Sequence, residues 1–256
     1  MLQAHSLLWH YLWLAPQVLQ LLLGVLIWRK GLHKQFPVFL AYLISSALVE
    51  LLLYALDISP RVSDHTFWIA FCCGLIAEGL LKFAVIGELF RNLFGKWSAL
   101  AKLGNQIISG VGALLVVLAT LAAAYAPIDN PKFTIVSRAH ILEQTFYIVQ
   151  CGLVVSLFLL AAHFKLTWEP RSFGIAFAFA IIWSEHMATW AIIVSGALLD
   201  KRYLLDFLNM ATYQLCVLIW CYYLLVPQKE ATKSAVPLPD NNLAIWNREL
   251  ERLLQQ

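Results

Sequence analysis

The sequence is poor in charged residues: Asp, Glu, Lys and Arg make up 13% of its 256 positions, whereas 61% are hydrophobic. A soluble globular domain has about a quarter of its residues charged and about half apolar. The net charge of +3 is too small to indicate a nucleic-acid-binding surface. Cysteine is also scarce, and all five copies lie inside apolar stretches, where they predict small apolar side chains. This composition excludes a soluble fold and makes the lipid bilayer the first expected partner.

The apolar residues fall in runs of about 20, the length at which a helix crosses the roughly 30 Å hydrocarbon core of a membrane. Seven such segments predict an all-α polytopic membrane protein, a seven-transmembrane-helix bundle over residues 1–226. They lie near 9–28, 37–56, 66–89, 100–126, 139–162, 172–197 and 204–226. The first segment is expected to be a retained helix, because the N-terminus lacks the basic start and the small-residue cleavage site of a signal peptide.

Basic residues in the connecting loops predict the orientation of the bundle. The loops and the tail on one side carry twelve Lys and Arg residues, and the loops on the other side carry five. The positive-inside rule assigns the richer side to the cytoplasm. With seven helices, this predicts an N-terminus outside and a C-terminus in the cytoplasm.

The tail, residues 227–256, begins as a polar, proline-containing linker and ends in a predicted short amphipathic helix near 242–255. Its apolar residues Leu243, Trp246, Leu250 and Leu253 recur at helical spacing, with charged residues between them. Such a helix is expected to lie on the inner leaflet or to dock on a cytoplasmic protein partner.

Polar residues inside the apolar segments are the candidates for function. A charge at the membrane centre costs about 2.5–3.5 kcal/mol on insertion scales, so these side chains are expected to face the bundle interior. Helical spacing and depth predict that they line a polar cavity in the outer half of the bundle, where a small molecule binds. The candidates are Glu50, Glu78, Lys82, Glu143, Gln150, Glu185, His186, Asn209, Tyr213 and Gln214.

The alternative is that these groups only pair with one another. Glu78 and Lys82 are four residues apart, with the acid first, which favours an ion pair within one helix. Glu185 and His186 are adjacent and point about 100° apart, so only one of them is expected to face the cavity centre.

Other site chemistries find little support in the sequence. The apolar segments lack the Glu-x-x-His and His-x-x-x-His spacings of carboxylate and zinc sites, so no metal is predicted. A retinal Schiff base needs a lysine in the pocket, and the seventh segment has none. No catalytic residues and no cofactor are predicted.

Two resemblances to known families follow from particular residues. Pro16-Gln17, within LAPQVLQLLLG, is similar to the proline–glutamine pair of the PQ-loop transporters, which have seven helices and two parallel three-helix repeats. The fifth segment, which should carry a second copy, reads Tyr147-Ile-Val-Gln150-Cys without proline. In addition, Val18-Leu19-Gln20 followed by RKGLHKQFPVF parallels Ile148-Val-Gln150 followed by HFKLTWEPRSFG, which suggests an internal repeat.

The broader resemblance covers nearly the whole chain. It is carried by WRKGLHKQFPVFLAYL, FWIAFCCGLIAEGLLKFAVIGELFRNLF, RSFGIAFAFAIIWSE, LIWCYYLLVPQ and LAIWNRELERLLQQ. Together these stretches resemble a set of uncharacterised multi-pass proteins common in acidobacterial genomes. The resemblance implies a bacterial inner membrane and no established activity.

The preferred functional hypothesis is a receptor-like or sensory module that binds a small molecule in the cavity. It would signal to a cytoplasmic partner through the inner loops and the tail helix. The main alternative is a small-molecule transporter or proton-coupled carrier that uses the intramembrane acids. A lipid-modifying membrane enzyme is the least favoured, because the sequence offers only scattered histidines near the interfaces.

Overall fold

A computed structural model describes residues 6–95, 134–194 and 202–226, together with positions 104, 106, 110, 112–114, 117, 121, 248 and 252. The long helices are α1 (Leu7–Arg29), α2 (Pro37–Ile58), α3 (Asp64–Phe94), α5 (Thr134–His163), α6 (Pro170–Val194) and α7 (Arg202–Leu225). A fourth helix, α4, is described at positions 104, 106, 110, 112–114, 117 and 121, all of which are helical. The predicted all-α architecture of seven helices is therefore confirmed.

Six of the described helices are long and apolar enough to cross a membrane. All six begin or end beyond the predicted segments, and the extension is largest at the end of α3, which continues to Phe94, and at the start of α5, which begins at Thr134. Hydropathy marks only the apolar part of a helix, whereas its backbone hydrogen bonds continue into polar sequence. The predicted amphipathic helix near 242–255 lies outside the described residues except for positions 248 and 252, which are helical.

The helix starts follow from local sequence. Ser6 and Ser63 are the N-caps of α1 and α3, where each hydroxyl accepts a hydrogen bond from a backbone N–H three residues later. Helices α2 and α6 both begin at a proline, which has no N–H to lose in the first turn.

Helix α2 is capped by a side chain from another helix. Its N-cap residue, Phe36, makes no side-chain hydrogen bond, and Pro37 has no N–H. The next two N–H groups, those of Val38 and Phe39, both donate to the carboxylate of Glu88 on α3, at 2.9 Å each. Glu88 is 1% exposed. This buried acid, which the sequence analysis did not single out, joins the start of α2 to α3.

The helices form a closed ring in the order α1, α2, α3, α5, α6, α7, with α7 returning to α1. Helix α4 packs against α3, where Gly104 and Gly112 lie close to the rings of Phe90 and Phe83. The chain therefore passes from α3 to α5 within the ring, and the described part of α4 does not take part in its closure. We call the end of the ring at which α1 begins the N-terminal end.

The ring interior has two unlike halves. The half away from the N-terminal end is filled by fully buried aromatic rings from α2, α6 and α7, with centroids 4.9–6.3 Å apart in neighbouring pairs. These are Phe39, Tyr42, Phe179, Trp183 and Trp220. Rings at these separations are in contact with one another, so this half is a packed aromatic core. The half nearer the N-terminal end contains the polar side chains.

Candidate functional site: a polar cavity inside the helix ring

A cavity of about 200 Å³ lies in this polar half of the ring. A polar cavity needs only about 10–15 Å³ of such space to hold one water molecule, so this one has room for a small molecule. Every helix of the ring contributes to its wall. The lining residues are Leu12, Trp13, Pro16, Gln17, Glu50, Glu78, Lys82, Glu143, Tyr147, Ile182, His186, Asn209, Met210 and Tyr213.

Glu50 contacts α1 through an indole. The Nε1–H of Trp13 donates to Glu50 Oε2 at 3.0 Å. The Trp13 ring packs edge-on against Trp9, at 4.5 Å between centroids, and against Tyr54, at 5.4 Å. The Tyr54 hydroxyl lies 3.0 Å from His10 Nδ1. Glu50 thus lies beside a group of aromatic rings shared by α1 and α2.

Glu78 and Lys82 form the ion pair expected from their spacing, with 3.6 Å between Nζ and Oε2. Ser46 Oγ donates to the other oxygen of Glu78 at 2.5 Å. The Tyr213 hydroxyl lies 3.4 Å from Ser46 Oγ and accepts a hydrogen bond from the Gln20 amide. Since the Ser46 proton is directed to Glu78, Tyr213 is the donor to Ser46. One hydrogen-bonded chain therefore connects α1, α2, α3 and α7.

Glu143 of α5 is held by neighbours on its own helix. Its Oε2 lies 3.4 Å from His140 Nδ1, and its Oε1 accepts a hydrogen bond from the Tyr147 hydroxyl at 3.3 Å. The Tyr147 ring lies 5.5 Å from Lys82 Nζ and 4.3 Å from the ring of His186. The aromatic face of Tyr147 is thus already in contact with a cation.

Glu185 is not part of the cavity wall, but it contacts two residues that are, His186 and Asn209. Thr189 Oγ1 donates to its Oε1 at 2.7 Å, and His186 Nδ1 lies 3.0 Å from its Oε2. The Asn209 amide presents its nitrogen to Glu185, at 2.9 Å from Oε2, because its oxygen would otherwise face only acceptors. Glu185 therefore orients His186 and Asn209, which both line the cavity.

The structure brings together most of the residues singled out from the sequence. Seven of them line the cavity: Glu50, Glu78, Lys82, Glu143, His186, Asn209 and Tyr213. Glu185 lies behind His186, so one of these two neighbours faces the centre, as the helical geometry predicts.

Gln150 and Gln214 lie outside the cavity wall. The amide nitrogen of Gln150 donates to the carbonyl oxygen of Gly79, at 3.3 Å, in the contact between α5 and α3. Both residues share a helix with cavity residues but are turned toward helix packing, which spacing along one helix cannot reveal.

The most important residues missed by the site prediction are Trp13 and Gln17. They are four apart on α1 and face the cavity together. Glutamine at position 17 is a detectable signal, because a buried amide inside an apolar helix normally faces the protein interior. The structure buries it to 3% exposure.

The charges around the cavity divide into pairs. Glu78 has Lys82, Glu143 has His140, and Glu185 has His186, each within 4.0 Å. Among the described residues, Glu50 has no Lys, Arg or His nitrogen at that distance. The described part of the chain also contains no group of three or more His, Cys, Asp and Glu side chains that could hold a metal ion.

These features define a multi-pass membrane protein whose helix ring encloses a polar cavity in one half. Comparisons with protein-family models, with curated proteins and with solved structures find no match to this chain. The cavity is therefore the feature of this chain that indicates a function.

Proposed function

We propose that this protein is a receptor-like module of a bacterial inner membrane that binds a small polar molecule in the cavity. In this proposal the N-terminus is outside, and occupancy of the cavity is passed to a cytoplasmic partner through the inner loops and the tail helix. The observation that carries the proposal is the division of the ring interior. One half is a cavity with polar walls, and the other is filled with aromatic rings.

The chemistry of the cavity wall supports binding of a polar molecule. Bundles that only need to pack are filled with apolar or small side chains, because each unpaired polar group in hydrocarbon is costly. Here carboxylates, an ammonium group, an imidazole, amides and hydroxyls converge on one space. Ligand pockets combine apolar walls with a few such placed polar groups.

The aromatic half favours a receptor over an open channel. Its rings separate the cavity from the far end of the ring, so a molecule in the cavity has one route of entry. In this proposal, occupancy of the cavity is passed on through the contacts among these rings, because one side chain in a packed layer can move only if its neighbours also shift.

Binding is testable with three planar probes of equal size: acetamidinium, acetamide and acetate. Saturation-transfer NMR on the probe methyl protons, with the protein in nanodiscs, should detect saturable binding of at least one of them. Met210→Trp should abolish the signal by filling the cavity. Leu159 lies away from the cavity on the outward-facing surface of the helix ring, where it is 65% exposed, so Leu159→Trp should leave the binding signal unchanged. Absence of saturable binding by all three probes would contradict the proposal.

A carrier is the second candidate, and the order of helices in the ring favours it. If α1, α2 and α3 exchange places with α5, α6 and α7, respectively, helices that are neighbours in the ring remain neighbours. The pair α1–α2 corresponds to α5–α6, α2–α3 to α6–α7, and α3–α5 to α7–α1. The α1–α2 and α5–α6 connections also match. Two residues after each first helix ends, the backbone takes a positive φ, 72° at Gly31 and 50° at Lys165. Each second helix then starts at a proline, Pro37 or Pro170.

Parallel three-helix repeats related by an axis along the membrane normal occur in transporters that alternate access to a central site. The two candidates differ in how the cavity is reached. Gln17→Cys in oriented vesicles, treated with a membrane-impermeant cationic thiosulfonate, should react from one face in a receptor and from both faces in a carrier. The same vesicles with Gln17 retained measure the background from the five native cysteines. No reaction from either face would contradict both functions.

A further inference from the structure

We propose that the molecule bound in the cavity is a small organic cation with N–H donors, an ammonium or amidinium group, held by Glu50 and Gln17. This inference rests on the proposed binding function and specifies the ligand class. It combines three features of the same wall: an acid without a basic partner, a buried acceptor without a donor, and an aromatic face.

The first feature is the charge balance. Three acids at or behind the cavity each have a basic group within 4.0 Å, and Glu50 has none among the described residues. A carboxylate inside a membrane protein is normally neutralised by a partner. The indole of Trp13, which donates to it at 3.0 Å, carries no charge. A ligand cation would complete the same pairing at Glu50 that the other acids already have.

The second feature is Gln17. Its side chain lines the cavity and is 3% exposed, and its Oε1 has no hydrogen-bond partner in the described part of the chain. A buried acceptor without a donor is destabilising, and because Gln17 belongs to the cavity wall, a bound molecule that donates would remove this cost. The partner of an amide oxygen must be a donor.

Gln17 lines the same cavity as Glu50, from the neighbouring helix. Gln17 follows Trp13 by four residues, so it lies one turn further along the same face of α1. About one turn further still, Gln20 is bonded to Tyr213, which also lines the cavity. Gln17 therefore lies between the layer that contains Trp13 and Glu50 and the layer that contains Gln20 and Tyr213. A ligand between these layers meets oxygen acceptors from both α1 and α2.

The third feature is the ring of Trp13. Tryptophan has the most favourable face for a cation, and its ring here lines the cavity while its N–H holds Glu50 in place. A carboxylate and an amide oxygen both accept, and an aromatic face attracts positive charge. The α1 and α2 side of the cavity is therefore complementary to a cation that donates. The Lys82 ammonium lies on the α3 side, where it pairs with Glu78.

The three matched probes test the ligand class. Acetamidinium is a cation that only donates hydrogen bonds. Acetamide is neutral and both donates and accepts them, and acetate is an anion that only accepts them. On the wild-type protein, acetamidinium should bind with a Kd of about 0.1–10 mM, the range open to a ligand of this size, and at least ten-fold tighter than the other two. This comparison needs no variant.

Variants test the site. Glu50→Gln, which keeps the shape of the side chain, should raise the Kd of acetamidinium about ten-fold or more, because a charge-assisted hydrogen bond is lost. Gln17→Leu should raise it several-fold. Gln214→Leu is the matched control, because Gln214 also has a buried, unpartnered Oε1 but lies outside the cavity. The Kd of acetamidinium for this variant should equal that for the wild-type protein.

The outcomes separate this inference from the proposed function. Equal or tighter binding of acetamide or acetate overturns the cation assignment and leaves small-molecule binding in place. Acetamidinium binding that is unaffected by both Glu50→Gln and Gln17→Leu overturns the assignment of the site. Failure of all three probes to bind overturns the proposed function itself.

Discussion

Replacing Glu88 with alanine should be among the most destabilising single changes outside the cavity. The carboxylate accepts from Val38 and Phe39 at 2.9 Å each, and it is 1% exposed. In the alanine variant both backbone N–H groups lose their acceptor, that of Phe39 in a buried place and that of Val38 in a partly buried one. Each unsatisfied buried group costs about 1–3 kcal/mol. Removing a buried carboxylate recovers part of this cost, so we expect a net loss of about 3 kcal/mol in the free energy of unfolding.

The loss can be measured by unfolding the protein with SDS in mixed micelles and following helix content by circular dichroism. Glu88→Gln keeps one carbonyl oxygen and should lose about half as much, about 1.5 kcal/mol. Glu169→Ala is the control. Its side chain is 40% exposed, and its contacts with Arg171, at 3.8 Å, and with Gln35 are of the kind that contribute about 1 kcal/mol or less each. If Glu88→Ala costs no more than Glu169→Ala, the capping explanation of how α2 begins is refuted.

Three further outcomes are expected. Gly174→Ala should cost about 1–3 kcal/mol, because an added Cβ would clash with the side chain of Tyr223 on α7. Gly152→Ala, with nothing within 4 Å of the added Cβ, should be neutral or stabilising in the same SDS titration. Tyr213→Phe should lower the free energy of unfolding by about 1–2 kcal/mol, because it removes the hydrogen-bond partner of the fully buried Gln20. Tyr222→Phe is the control, since Tyr222 is 62% exposed, and it should cause no measurable loss. Reporter fusions should place the end of α7 in the cytoplasm and the α2–α3 loop outside. The opposite pattern would contradict the orientation inferred from the basic residues.

Local sequence was sufficient to predict the membrane-crossing helices, because the formation of each helix depends mainly on the residues within it. A run of apolar side chains about 20 long predicts a membrane-crossing helix wherever its neighbours lie. Spacing within one helix likewise predicted the pair formed by Glu78 and Lys82, since residues four apart lie on the same face. It also predicted that only one of Glu185 and His186 faces the cavity centre.

The contacts that join one helix to another connect residues far apart in the chain. Trp13 and Glu50 are 37 residues apart, Glu88 and Val38 are 50 apart, and Gln20 meets Tyr213 across 193 residues. No periodicity contains this information, because periodicity says which face of a helix is polar and not which helix that face meets.

The sequence by itself therefore determined that the protein is a seven-helix membrane bundle, and which helices carry polar faces. Only the tertiary structure decided that α3 adjoins α5, so that six helices close a ring. Among the described residues of that ring, Glu50 has no basic partner and the Gln17 side-chain oxygen has no hydrogen-bond donor. The physical reason is that apolar length and helical phase are properties of one segment. Pairing, burial and cavity formation depend on the packing of segments against each other, and that packing is set by the shapes and hydrogen-bonding groups of all the helices together.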